Sequence, residues 1–282
     1  MQRINDFFKH NASNKIAIIG IPYDVNSSFM RGPAGAPPFI RKALFSDASN
    51  LWTEKGVDLS ADDVMLDMGD LTFNQTDDPM TIIETSLTRL LDDKFLPIAL
   101  GGDHAITYPL IRGFRNKYNK LSLLQFDAHP DLYHELQDNR YSHASTFARI
   151  MEDKLVDRLI QVGVRTMNGH QRSQAEKFGV EVVDMLNWRD DIQLAFDSPV
   201  YISFDMDVLD PAYAPGVSHR EPGGLSPRQL ISLIHSLKGP VIGADIVEYN
   251  PKNDLSEITS MVSAKILKEI AAQVLLTRAP SP

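Results

Sequence analysis

At 282 residues, with 43% hydrophobic and 23% charged side chains, the chain has the make-up of a globular protein able to bury a sizeable core. Its net charge of −9 provides no basic footprint, which excludes nucleic acid as the main partner and suits a small cationic ligand. The lack of cysteine excludes disulfides, thiolate metal sites and cysteine nucleophiles, and no apolar run is long enough to span a bilayer.

The first ten residues contain no secretory apolar region and, with Asp6 among few serines, make a poor organellar presequence, so a cytoplasmic location is expected. Residues 16–21 are an apolar run closed by Gly20, Pro22 and Asp24, which predicts a buried strand. Residues 26–38 hold Ser27, Ser28, Gly32, Pro33, Gly35, Pro37 and Pro38 and predict a long irregular loop, followed by a helical turn or two over 39–45. Further strands are predicted at 64–68, 95–100, 121–126, 159–164, 180–183, 200–204 and 241–246. Helical spacing falls at 79–92, near 105–118, and at 142–153, 170–178 and 226–237. A long amphipathic helix over 255–276 would carry Ile258, Met261, Val262, Ile266, Ile270 and Val274 on one face. Such alternation predicts an α/β fold with a mainly parallel sheet and helices on both sides. With no internal repeat and no linker, residues 1–282 read as one domain.

In parallel sheets, ligands collect at the carboxyl ends of strands, and three predicted strands end in polar clusters. The first is Gly101-Gly102-Asp103-His104. The second is Asp127-Ala128-His129-Pro130-Asp131, whose alternate side chains share a direction in an extended segment. Pro130 biases His129 toward that extended conformation. The third is Asp205-Met206-Asp207, with the same spacing. Singly, each aspartate would read as a cap or turn residue, as Asp210 before Pro211 does. Together, Asp127, Asp131, Asp205 and Asp207 would bring four negative charges into one place, which two divalent cations neutralise. His104 and His129 would add one nitrogen each, giving an oxygen-rich set that suits Mn²⁺ better than structural zinc. Two such ions can share a water and lower its pKa.

These three motifs, with Ser203-Phe204-Asp205-Met206-Asp207-Val208-Leu209-Asp210-Pro211 as the third in full, resemble the signatures of the ureohydrolases, the family of arginase, agmatinase and their relatives. Residues 141–151 and 215–226 point to its plant-type arginase branch. The resemblance runs from Ser27-Ser28-Phe29 to Val247-Glu248-Tyr249-Asn250-Pro251. It implies a three-layer α/β/α sandwich, two Mn²⁺ per subunit, a homotrimer or homohexamer, and hydrolysis of a guanidino group to urea and an amine. His104, Asp127, Asp131 and Asp205 would hold one ion. His129, Asp127, Asp205 and Asp207 would hold the other, with Asp127 and Asp205 bridging.

By the same resemblance Glu248 would grip the guanidinium, Asp131 would relay a proton to the departing amine, and His143 would exchange protons with solvent. Asp103 reads as a residue that orients a ligand or the backbone, or as a plain turn residue. Ala105, His219 and Arg220 depart from residues common elsewhere in the family, so recognition of the substrate tail does not carry over. Asn139, Arg140, Ser142 and Arg220 are candidate partners for a carboxylate there. L-Arginine is the expected substrate, with agmatine and guanidinobutyrate as alternatives. A phosphoesterase would need basic or Asn residues beside the metals, and a non-catalytic family member would have lost ligands; neither pattern is present.

Overall fold

The structure, a computed structural model, describes residues 15–62 and 64–278. Among the described residues, eight parallel strands form one sheet: β1 (Ile16–Gly20), β2 (Met65–Asp70), β3 (Leu96–Leu100), β4 (Ser122–Phe126), β5 (Arg158–Val162), β6 (Glu181–Val183), β7 (Val200–Asp205) and β8 (Val241–Val247). Their order across the sheet is β2-β1-β3-β8-β7-β4-β5-β6. The inner strands are buried on both faces, which explains their unbroken apolar runs.

Alternation along the strands builds two cores. Ile16, Ile18, Leu124 and Ile202 face one side, where they meet Ile40 of α1 (Ala36–Leu44), Leu230 and Ile234 of α6 (Pro227–Ser236), and Ile266 and Ile270 of α7 (Ile258–Thr277). Ala17, Ile19, Leu123 and Tyr201 face the other. There they pack on Leu87 of α2 (Pro79–Asp92), Phe114 of α3 (Thr107–Arg115), Phe147 of α4 (Thr146–Glu152) and Ala175 of α5 (Gly169–Phe178). The expected three-layer α/β/α architecture is therefore what the chain adopts.

Several boundaries move for local reasons. The loop predicted over 26–38 ends early, because Pro33–Gly35 is a 3-10 turn and α1 begins at Ala36. Pro37 and Pro38 sit in its first turn, where the missing N–H groups have no intrahelical partner. The helices predicted from 105 and 142 instead open with 3-10 turns, His104–Ile106 and His143–Ser145, before α3 and α4. Gly69 and Asp70 belong to β2 rather than to a turn. α7 starts three residues later than expected, at Ile258, after a left-handed Glu257. It is also not one-faced: Ile266 to Val274 are all buried, whereas Ile258 and Met261 are exposed. The reason is the 49–54 segment, which covers its far side through Lys268 Nζ to the Asn50 carbonyl (2.7 Å) and Glu54 N to Glu269 Oε1 (3.1 Å). No helix of the described residues is long and apolar enough to cross a membrane.

Candidate metal centre

The three motifs converge because β3, β8, β7 and β4 are adjacent in the middle of the sheet, with their carboxyl ends on one edge. Gly102 lets the chain turn out of β3 under the 23–28 loop, since a Cβ there would lie 1.7 Å from the Tyr23 carbonyl oxygen. Asp103 then caps the next turn by accepting a hydrogen bond from Ala105 N (3.1 Å), which presents His104 to the centre. Burial, and secondarily Glu248, push its carboxyl up to about 7. Asp210 proves to be a turn residue, accepting from the backbone N–H groups of Ala212, Gly223 and Gly224.

His104 is fully buried, and its Nδ1 faces Asp127 Oδ2 (3.1 Å), Asp131 Oδ2 (3.1 Å) and Asp205 Oδ2 (3.2 Å). Next to this cluster, His129 Nδ1 lies 3.0 Å from Asp207 Oδ2 and 3.5 Å from Asp127 Oδ1. Asp127 thus offers one oxygen to each imidazole. Asp205 Oδ2 faces His104, and its Oδ1 accepts from Asp207 N (2.8 Å), just as Asp127 Oδ1 accepts from His129 N (2.6 Å). His104 with Asp127 and Asp131, and His129 with Asp127 and Asp207, each gather ligand atoms within 4.8 Å of one another.

The electrostatics of this cluster test whether cations fit. Burial disfavours charge on His104 and His129, yet the carboxylates around them raise His104 well above the usual histidine value and His129 to about 12. Burial and the neighbouring carboxylates Asp207 and Asp127 push Asp205 far up as well. His104 Nδ1 has no aligned hydrogen bond although three carboxyl oxygens surround it. A buried nitrogen in that position is satisfied by a cation shared with the carboxylates, so the residues fit a two-metal centre with Asp127 in common.

Behind the ligands lies a row of buried polar side chains in register across the sheet: Gln161 on β5, Gln125 on β4, Ser203 on β7 and Asp245 on β8. Gln125 Nε2 donates to Asp127 Oδ2 (2.7 Å), and Gln161 Nε2 donates to Gln125 Oε1 (2.6 Å). Ser203 Oγ donates to Asp245 Oδ1 (2.8 Å), and Thr107 and Tyr201 donate to Asp245 Oδ2 (both 2.9 Å). With its proton committed to Asp245, Ser203 accepts from His104 Nε2 (2.9 Å), which leaves Nδ1 as the ligating nitrogen. Arg165, just past β5, donates to the carbonyls of Asp207 (2.6 Å) and Glu221 (2.7 Å), holding the third motif against the 217–224 loop.

A cavity of about 210 Å³ opens above the cluster. Glu248 and His143 form its wall: His143 Nδ1 lies 2.8 Å from Glu248 Oε1, and its Nε2 lies 2.8 Å from Ser28 Oγ. Glu248 Oε1 also accepts from His104 N (2.9 Å). Burial opposes charge on both groups, but their pairing raises His143 to about 9 and lowers Glu248. Asp131 and Glu248 hold left-handed backbones (φ 47° and 63°), each costing on the order of 1–2 kcal/mol that the surrounding bonds must offset.

Of the residues considered for a substrate tail, none lines this cavity. Asn139 donates to Asn26, Arg140 pairs with Glu152, Ser142 caps the turn bearing His143, and Arg220 donates to the Pro215 carbonyl. The outer wall is instead Tyr133, Leu136, Thr166, Gln171 and His219. Thr166 follows a strand end and was open to the same reasoning as the aspartates; Gln171 carries no signal in the sequence. Ring contacts of His219 with His143 (5.3 Å) and His129 (5.8 Å) confirm that its loop rims the cavity.

Comparison with known proteins places this geometry. The family model described as Arginase family matches residues 14–272. "Arginase 1, mitochondrial" of Arabidopsis thaliana is 42% identical over 93% of this chain and 82% of its own length. "Arginase 2, chloroplastic/mitochondrial" of the same plant is 42% identical over 92% and 80%. The solved arginase from Medicago truncatula superposes with a TM-score of 0.88 at 40% identity, covering 93% of this chain and 88% of that one. These names overturn the cytoplasmic expectation, since the relatives are organellar. That expectation rested on the first ten residues, which lie outside those described. By its family model, its relatives and its fold, the chain belongs to the arginase family.

Proposed function

We propose that the protein is an arginase, hydrolysing L-arginine to ornithine and urea with two Mn²⁺ per subunit. The observation that carries the reading is the pair of clusters sharing Asp127 beneath a cavity walled by Glu248 and His143, in a chain 42% identical to plant arginases. His104, Asp127, Asp131 and Asp205 would hold one ion, and His129, Asp127, Asp205 and Asp207 the other. The bound ions supply Lewis acidity and an activated water for attack on the guanidino carbon.

The chain's own groups do the rest. The guanidinium brings a positive charge into a cavity whose base is acidic, and Glu248, kept ionised by His143, accepts its paired N–H donors. In doing so it shares its charge between His143 and the substrate. The pull that holds His143 at about 9 then weakens, which moves that imidazole toward the range where it exchanges protons readily. Asp131, facing His104 at the cavity base, relays to the departing amine a proton given up by the attacking water, and His143, beside Ser28, exchanges the second with solvent. The chain acts as one domain, and the family resemblance supports assembly as a homotrimer or homohexamer.

A colorimetric urea assay of Mn²⁺-loaded protein, with arginine and agmatine in parallel, tests the reaction. Release of urea from arginine at the higher kcat/KM is expected; preference for agmatine replaces the assigned substrate. Sedimentation velocity tests the assembly.

A further inference from the structure

The cavity above the metal cluster is electrically lopsided. Asp131, Asp205, Asp207 and Glu248 line one part of it, whereas Tyr133, Leu136, Thr166 and Gln171, which line another, are uncharged. Gln171 stands out there. It is only 5% exposed, lines the cavity, and is the third residue of α5. Its Oε1 accepts from Asn168 N (3.2 Å) while its own N–H goes to Asn168 Oδ1 (2.9 Å), a capping box. That reciprocity fixes which end of the amide is oxygen. The remaining Nε2 has no protein partner among the described residues and is not sealed from the cavity.

An amide nitrogen that opens on a cavity without a protein partner calls for an acceptor in the ligand. Its neighbours are of the same kind. Tyr133 Oη accepts from Asn168 Nδ2 (2.8 Å), which leaves its own proton to donate. The Thr166 hydroxyl lines the same side. The amino end of α5 adds the partial positive charge of its first turn.

We propose that Gln171, with the hydroxyls of Thr166 and Tyr133, binds the carboxylate at the far end of a guanidino acid. Gln171 is then the residue that separates such substrates from their decarboxylated counterparts. The assignment rests on the arginase reading above and specifies how its substrate is recognised: cationic end on Glu248, anionic end on an uncharged donor set. It also replaces the four residues considered from the sequence alone.

The test is Gln171→Glu in the full-length, Mn²⁺-loaded protein. Glutamate serves a capping box as well as glutamine, so α5 keeps its cap, while the donor facing the ligand becomes an anion. The ratio of kcat/KM for arginine to that for agmatine should fall by about tenfold or more, chiefly through a higher KM for arginine. By calorimetry, ornithine should bind at least about tenfold more weakly relative to putrescine. Thr166→Val, which leaves the cap alone, should move the ratio the same way. If wild-type protein turns over arginine but both ratios move less than about twofold in Gln171→Glu, this assignment is wrong while the reaction stands. If wild-type protein releases no urea from arginine, the reaction fails and the assignment with it.

Discussion

Asp245 sits two hydrogen bonds behind a candidate ligand and touches nothing in the cavity, yet it decides which nitrogen of His104 is free. Replacing it with asparagine lets an amide N–H compete for Ser203 and removes the acceptor that commits its proton. Asp245→Asn should weaken Mn²⁺ binding by roughly 10–100-fold, as loss of such outer partners does elsewhere. Calorimetric titration of the variant checks this; unchanged affinity for both ions would show that the row behind the ligands has no such role. The clustered aspartates and His129 were legible in the sequence because i, i+2 spacing at a strand end is a local pattern. Asp245, Gln161 and Gln171 were not, since each takes its meaning from a neighbour on another strand or from a cavity wall.

At the level of elements, the strands were the most legible part. A buried parallel strand has no polar face, so its apolar run announces itself, and all eight fell within two residues of expectation. Helix starts were less so, because the 3-10 turns that open α3 and α4 continue the helical spacing backward. The surroundings of α7 could not be foreseen at all, since the covering 49–54 segment lies some 200 residues away in sequence. Glu54 carries much of that cover. Its carboxylate takes two bonds from Arg228 (2.7 and 2.8 Å) and lies 3.0 Å from Lys265. Those partners outweigh partial burial and lower it to about 2. A depressed carboxyl stabilises the fold above its unfolded value of 4.5 and loses that contribution as pH falls toward 2. Glu54→Gln should therefore lower Tm at neutral pH, with the gap to wild type closing between pH 4.5 and 2 in thermal melts. Ser226 makes a full capping box with Gln229 at the start of α6, and Ser226→Ala should cost about 1 kcal/mol by urea denaturation at neutral pH.

Across the whole molecule, the layer architecture followed from alternation of elements, but strand order did not, because local pattern carries no instruction about which strands become neighbours. That order is what brings four strand ends bearing acid and imidazole groups together. Stability should depend on the ions for the same reason. A chelator should lower Tm markedly, and Mn²⁺ at about one hundred times its Kd should return roughly 2.7 kcal/mol, read from paired melts. A Tm indifferent to chelation would mean that the buried acids are compensated by some other means.

β8 lies between β3 and β7, although it is the last strand to leave the ribosome. Without β8 the other strands divide into two sets, β1 to β3 and β4 to β7, each with an unpaired inner border. This one strand joins the two sets and so completes the floor of the cavity. A polypeptide halted at position 240 would keep every aspartate and histidine of the cluster and still have no common surface on which to gather them.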